Sequence, residues 1–285
     1  MPALDDTSCR PLNASEFEKI RRLAYDTFGL DLRTGKETLV STRLGKHMRQ
    51  SGCRSFDEYY QFVVGDSTGK SLINLIDALT TNHTSFFREP AHFDFMRKVL
   101  LPEWKNRGKI DIWSAACSSG EEPYTIAMCL LEELGTIAPG KVRILATDIS
   151  TKVLAKAGQG TYPAERLEGI PDSQLRKYWL RGEGEWAGWY RAKKDMRALM
   201  EFRRVNLLEP VSQMGRFALI FCRNVMIYFD KPTQQQVVKR LGDCLEPGGY
   251  LLTGHAESLT GISHGLEYVQ PAVYRKGSSG GREKG

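Results

Sequence analysis

No run of about 20 apolar residues, the length a membrane-crossing helix requires, occurs anywhere in this chain. The opening MPALDDTSCR also lacks the charged-then-apolar pattern of a secretion signal, so a cytoplasmic protein without membrane insertion is expected. Cysteine pairs are missing as well. The six cysteines, at 9, 53, 117, 129, 222 and 244, form no C-x-x-C motif, and the five histidines show no H-x-x-x-H spacing, which leaves reduced thiols and no structural metal. Nor is there a large excess of one charge. A net charge of +6 with a pI near 8.9 is too mild to argue for nucleic acid by itself. Through residue 90 there are 12 basic against 12 acidic residues, so any basic patch in that part is local. What is present is 285 residues at 41% hydrophobic content, enough for roughly two domains that bury real cores.

From Ser15 to about Pro90 the apolar residues recur with helical spacing. SEFEKIRRLAYDTF opens on a capping box, Ser15 with Glu18, and stops at Gly29; SFDEYYQFVV repeats the device with Ser55 and Glu58. KETLVSTRLGKHMRQ and SLINLIDALT supply further helices, so residues 1–80 read as a small all-helical N-terminal domain. The polar stretch TTNHTSFFRE follows, and 81–91 is the expected linker, with Pro90 placed to enter a helix. Beyond it, over 92–276, strands (KIDIWSAA, VRILATDIS, RFALIFCRN, YLLTGHAE) alternate with helical patterns, one beginning at Thr151 and one at Pro232. That alternation indicates an α/β fold with a doubly wound, mainly parallel, Rossmann-like sheet. LEYVQPAVYRK alternates in the manner of a terminal antiparallel strand, and 277–285 reads as a flexible tail. Residues 181–205 break the rhythm: two strand-like runs flank a charged AKKD turn, predicting a small antiparallel β insertion whose exposed edge can accept a peptide strand.

The chemistry concentrates where strands end. DIWSAACSSGEEPY is a strand, a tight turn of small residues and a helix start, and in a doubly wound sheet a ligand lies in the crevice beyond that point. The turn lacks the G-x-G-x-x-G spacing that cradles a pyrophosphate, and Glu121 and Glu122 at the helix entry would repel one; a cationic ligand fits better. Read alone, the two glutamates merely complement the helix dipole. Asp148 ends the second strand in ATDIS, 28 residues past Gly120, about where such folds grip ribose hydroxyls, although an aspartate before Ser150 and Thr151 caps the next helix equally well. RFALIFCRNVMIYF places Arg223 and Asn224 at another strand end, where polar groups face the crevice as candidate cofactor ligands, followed by Tyr228 and Phe229, whose rings could line a base or an acceptor slot, with Phe229 favoured as core. At roughly 100° per residue, Val40, Leu44 and Met48 fall on one side of a helix and Arg43, Lys46 and Arg49 on the other, a basic stripe that is equally an ordinary solvated face.

ACSSGEEPYT, ATDIS and FCRNVMIYF, preceded by TNHTSFFRE and an all-helical domain, resemble the bacterial chemotaxis receptor methyltransferases, the CheR family, over nearly the whole chain from about Ser15 to Lys276. The resemblance implies an S-adenosylmethionine-dependent protein-glutamate O-methyltransferase that esterifies glutamates of chemoreceptors and releases S-adenosylhomocysteine. By the same resemblance the insertion docks a receptor C-terminal peptide, and the basic stripe faces acidic methylation helices. It implies that Asn82, Thr84 and Arg88 reach over the cofactor from the linker, with Arg88 gripping either the cofactor's carboxylate or the substrate's, and that Asn206 and Leu207 lie along the adenine, although Leu207 alone reads as core. Glu122 suits the cofactor's ammonium. A glutamate carboxylate is already anionic at neutral pH and needs no base, so Tyr228 is expected to position it. A monomer with no nucleic-acid partner is expected. A nucleic-acid methyltransferase shares fold and cofactor, but by family resemblance it would carry an Asn-Pro-Pro-aromatic segment where this chain has Arg223, Asn224, Val225 and Met226. A non-catalytic module that binds receptor tails is the third reading.

Overall fold

The computed structural model describes residues 12–138 and 140–278, which divide into two compact units. The tail expected at 277–285 lies almost wholly outside the described residues, as does Cys9. No helix among the described residues is long and apolar enough to cross a membrane.

The first unit runs to Asn82 and is built from α1 (Ala14–Phe28), α2 (Glu37–Gln50), α3 (Phe56–Gly65) and α4 (Lys70–Leu79). Phe17, Ile20, Val40, Leu44, Tyr59, Val63 and Leu75 are buried along the faces that the helical spacing predicts. α1 is capped two residues earlier than expected, at Asn13 rather than Ser15. Asn13, in extended backbone, accepts from Glu16 N–H at 2.9 Å while the Glu16 carboxylate accepts from Asn13 N–H at 2.9 Å. Glu18 instead pairs with Arg21 on the outer surface, and so the capping box is Asn13 with Glu16, not Ser15 with Glu18. Gly29 at φ 68° does end the helix, and Ser55 does cap α3 through Glu58 N–H.

This unit also recruits Tyr228–Asp230, which the sequence placed in the second domain. Thr81 N–H donates to the Tyr228 hydroxyl, which donates in turn to Thr81 C=O, each at 3.1 Å; Asp31 N–H donates to Tyr228 C=O, and Tyr25 to Asp230. Phe229 forms a bridge with Leu30.

The second unit begins at His83 with the short α5 (Ala91–Phe95) and α6 (Leu101–Trp104), joined by a π turn. Its sheet contains β1 (Ile110–Ala115), β2 (Val142–Asp148), β6 (Met200–Arg204), β7 (Phe217–Cys222), β8 (Leu245–Thr253), β9 (Leu266–Gln270) and β10 (Val273–Lys276), in the order β6-β2-β1-β7-β8-β10-β9. α7 (Glu121–Leu134), α8 (Thr151–Gln159) and α11 (Lys231–Asp243) pack on it. β6 through β8 pair in parallel and β10 is antiparallel to both its neighbours. β1 and β7 are buried at every position, so β7 reads as a continuous apolar run, while β1 also buries Asp111, paired with Arg143 at 2.5 Å. The final LEYVQPAVYRK is therefore a hairpin and not one strand, turned by Ala272 at φ 62°.

The antiparallel insertion is present but displaced. Its three strands, β3 (Thr161–Pro163), β4 (Trp179–Arg181) and β5 (Trp189–Ala192), pair in the order β3-β5-β4, with α9 (Asp172–Tyr178) between the first two. The element thus spans 161–192, not 181–205. The second strand-like run, Met200–Arg204, is instead the parallel edge partner of β2, reached through the single-turn α10 (Lys194–Arg197). Alternation looks the same in an antiparallel insertion and at the edge of the main sheet, and only pairing separates the two.

Asn13→Ala is expected to destabilise the helical unit by about 1 kcal/mol, whereas Ser15→Ala changes it by less than half of that; urea unfolding followed by circular dichroism compares the two.

Candidate active site

β1 sits between strands that lead away in opposite directions: the chain runs from it to β2 and β6 on one side and returns to β7 on the other. Crevices open outside the carboxyl ends of strands at such a reversal. Ala115 pairs with Thr147 and with Cys222, and Cys222 with Thr253, so the segments leaving β1, β2, β7 and β8 emerge at one level. Backbone strain gathers there too. Ala116 (φ 62°), Ser118 (φ 50°) and Gly120 (φ 99°) turn the chain after β1, Asn224 (φ 60°) turns it after β7, and Phe87 and Glu89 in the entering segment are also left-handed. Non-glycine residues hold such conformations only where their surroundings over-determine them, and such positions cluster at functional sites. Gly120 has a second reason to be glycine, since a Cβ there would lie 2.7 Å from the Tyr162 hydroxyl and 2.8 Å from Ala157 Cβ.

Arg223 organises the crevice. Its side chain is 2% exposed and donates to Glu122 Oε2 at 2.9 Å, to Glu89 Oε2 at 3.0 Å and to the Arg88 carbonyl, with its guanidinium over the Phe93 ring. Glu122 is fixed from the other side by the Ser114 hydroxyl at 2.6 Å. Asn224 donates to Glu89 Oε1 at 3.2 Å. Burial penalises the Glu89 carboxylate, but the Arg223 charge and the Asn224 and Arg223 hydrogen bonds outweigh it and hold its pKa below the ordinary value. Ligand atoms of Glu89, His92 and His255 all lie within 4.8 Å of one another, and the guanidinium of Arg223 supplies the cation beside them. The two adjacent glutamates have separate duties: Glu121, fully buried, pairs with Arg166 and accepts from the Ser119 hydroxyl at 2.7 Å, while Glu122 faces the crevice.

The other expected residues distribute as follows. Asp148 accepts from Ser118 N–H and Ser150 N–H, both at 2.9 Å, so one carboxylate ties the β1 turn to the start of α8, where Ser150 itself caps the helix. Thr84 is buried. Arg88 donates to the His83 carbonyl at 2.7 Å and makes no ion pair among the described residues; it is Glu89, its neighbour, that is paired. Asn206 caps the turn at Leu208 N–H, and Leu207 is buried, as its apolar character predicts. Arg223 and Asn224, which the sequence offers as cofactor ligands, meet the neighbouring acids: Arg223 is buried and donates to Glu122 and Glu89, and Asn224 donates to Glu89. Asn82 and Tyr228 belong to the helical unit. There the basic stripe is reduced, because Arg43 donates to the Leu79 carbonyl and to Thr81 Oγ1, closing the end of α4, and Lys46 and Arg49 remain exposed.

Sequence reading missed Ser114, Glu89 and Glu257. Locally Ser114 is one small residue of a strand, and Glu89 one acid of a polar stretch beside Arg88. Glu257 follows β8 and accepts backbone N–H groups from Asn224, Gly254 and Ile227.

Two family models cover the chain: "CheR methyltransferase, SAM binding domain" matches residues 82–274, and "CheR methyltransferase, all-alpha domain" matches residues 15–80. Chemotaxis protein methyltransferase 2 of Pseudomonas aeruginosa is 42% identical over 260 residues, covering 91% of this chain and 92% of its own length. The chemotaxis protein methyltransferase of Borreliella burgdorferi is 38% identical over 275 residues, covering 93% and 95%. That of Escherichia coli is 38% identical over 266 residues, covering 92% and 91%.

His92, 1% exposed, with no hydrogen-bond partner for either ring nitrogen among the described residues and Glu89 Oε2 3.5 Å from Nδ1, reports on the electrostatics here. Burial, then the Arg223 charge, push its pKa down from 6.5 to about 3. Unfolded chains therefore bind a proton between pH 6.5 and 3 that the folded protein refuses, and stability falls as the pH drops through that window. His92→Gln is expected to reduce this slope by up to about 1.4 kcal/mol per pH unit, read from urea midpoints between pH 7 and 4.5; an unchanged slope would show that the imidazole titrates normally.

Proposed function

Because the chain belongs to the CheR methyltransferase family, we propose that it transfers the methyl group of S-adenosylmethionine to glutamate side chains of chemoreceptors, giving glutamate methyl esters and S-adenosylhomocysteine. The observation that carries this reading is a carboxylate, Glu122, fixed by Ser114 and Arg223 at the strand-order reversal, where a dinucleotide enzyme would present a phosphate cradle. The donor set fits the cofactor. Glu122 suits its ammonium, Asp148 its ribose hydroxyls, and the small residues from Ala116 to Gly120 let a ligand approach the backbone. In this proposal Asn206 and Leu207 lie along the adenine, and Asn82, Thr84 and Arg88 reach over the cofactor from the linker.

Once bound, the cofactor supplies a methyl group on a sulfonium, whose departing thioether is neutral. The chain's own task is alignment. The acceptor glutamate is ionised at neutral pH, so no residue need remove a proton, and holding the acceptor oxygen in line while excluding water supplies most of the rate. Arg88, not engaged with any described carboxylate, is available to pair bidentately with one. Tyr228 is proposed to donate its phenolic hydrogen to one acceptor oxygen, exchanging the Thr81 carbonyl for it.

Substrate docking follows charge. Lys46 and Arg49 on α2 form the face offered to an acidic methylation helix. On the small sheet, Leu180, Trp186 and Trp189 are 54%, 61% and 40% exposed and line a hollow whose charged residues are Arg181, Arg191 and Glu183, basic in balance. Apolar side chains flanked by arginines suit a short receptor peptide carrying aromatic and acidic residues, added along the strand edge. The protein would thus work in the cytoplasm at membrane-bound receptors.

Calorimetry is expected to detect S-adenosylhomocysteine binding, weakened at least about tenfold in Glu122→Gln, roughly 1.4 kcal/mol, while a nicotinamide dinucleotide gives no heat. With radiolabelled donor, label should enter receptor and not nucleic acid; Tyr228→Phe should lower kcat about tenfold with unchanged cofactor affinity, and Lys46→Glu with Arg49→Glu should slow receptor methylation without touching cofactor binding. Label in nucleic acid alone would overturn the assignment.

A further inference from the structure

The turn after β7 is held by a carboxylate that methyl transfer does not itself require. Glu257, buried just past β8, accepts Asn224 N–H and Gly254 N–H on Oε2, both at 2.7 Å, and Ile227 N–H on Oε1 at 3.1 Å. Its own loop is closed by Glu257 N–H donating to Gly254 C=O at 2.9 Å and by Thr253 Oγ1 donating to Glu257 C=O at 3.1 Å. One side chain therefore ties the segments leaving two adjacent strands. The approach is as close as glycine allows: a Cβ on Gly254 would fall 2.6 Å from Glu257 Oε2 and 2.7 Å from Asn224 Nδ2. The turn so held contains Asn224 in left-handed backbone, which without its anchor relaxes to a commoner conformation. Asn224 is adjacent to Arg223 and itself reaches Glu89, so a change at this backbone moves both groups that set Glu89 and, through Arg223, Glu122.

We propose that Glu257 is a positioning residue for cofactor binding: by gathering the backbone N–H groups of the post-β7 turn it fixes Arg223, and through Arg223 the carboxylate of Glu122. It touches neither cofactor nor acceptor. The role rests on the methyl-donor reading of this crevice. Burial raises the Glu257 carboxyl above its usual range despite the N–H groups that oppose the shift, so the fold retains an acid where a neutral residue would be easier to bury.

The isosteric change Glu257→Gln replaces an oxygen by an amide that points donors at donors, since three N–H groups converge on the two oxygens. Gly254→Ala leaves the carboxylate in place and crowds it. In the full-length protein both variants are expected to weaken S-adenosylhomocysteine binding about tenfold, roughly 1.4 kcal/mol, and to raise KM for the donor more than they lower kcat. Glu257→Asp, which keeps the charge but shortens the reach, should recover part of the lost affinity. Were the role only structural, the variants would melt earlier yet bind the product with wild-type affinity at temperatures where they are folded, and that result overturns the proposal. Should Glu257→Gln not fold, Gly254→Ala and Glu257→Asp decide by the same criterion. Wild-type protein that binds no S-adenosylhomocysteine would refute the methyl-donor site itself, whereas normal wild-type binding with unaffected variants refutes only this role for Glu257.

Discussion

The buried guanidinium of Arg223 is the interaction on which the crevice depends. It joins the helix entry after β1, through Glu122, to the segment that enters the domain, through Glu89 and the Arg88 carbonyl. Without it two carboxylates would face one another in a partly dry cleft, and breaking such a pair from one side typically costs about 3–5 kcal/mol. With it, Glu122 keeps its orientation yet has lone pairs left for a ligand cation. A planar fork is needed for this, since lysine cannot span two carboxylates and a carbonyl from one position.

The same region concentrates the backbone strain. Turns after β1 and β7 and the segment before α5 adopt left-handed conformations at residues other than glycine, and each is locked by side chains that bond backbone groups: Asp148 to Ser118, Glu257 to Asn224, Thr125 to Phe87. Rigid loops with their hydrogen bonds already made lose little freedom when a ligand arrives, which is how pre-organised sites gain affinity without adding contacts. The carboxylates here therefore have two duties, structural toward the backbone and chemical toward the crevice. At Asp148 the sequence already offered the structural share as a helix cap; at Glu257 it offered none.

How far the sequence could be read is clearest at particular residues. The crevice loop, from Ala116 to Glu122, was legible because an apolar strand, small residues and a helix start leave few alternatives. The preference for a cationic ligand was legible because two glutamates stood where a phosphate needs amide groups. Glu89 was not legible: in FFRE it sits beside an arginine, and nothing local says that its partner is Arg223, 134 residues away. The contact of Arg43 was not legible for a similar reason, since helical spacing gives a side chain's face but not the carbonyl it caps on another helix. Met200–Arg204 and Tyr228–Asp230 followed the same pattern, each having local character that suited two neighbours.

The sequence by itself determined the periodicities, and with them the helical unit, the parallel sheet and the acidic turn at its centre. These follow from burial patterns and backbone chemistry within about a dozen residues. Tertiary structure alone decided which acids are free and which are bound, which strand pairs with which, and that a turn carrying the central arginine hangs from a glutamate 34 residues beyond it. Hydrogen bonds and ion pairs are short-ranged and directional, so they exist only once the fold has brought distant groups within about 3 Å of one another.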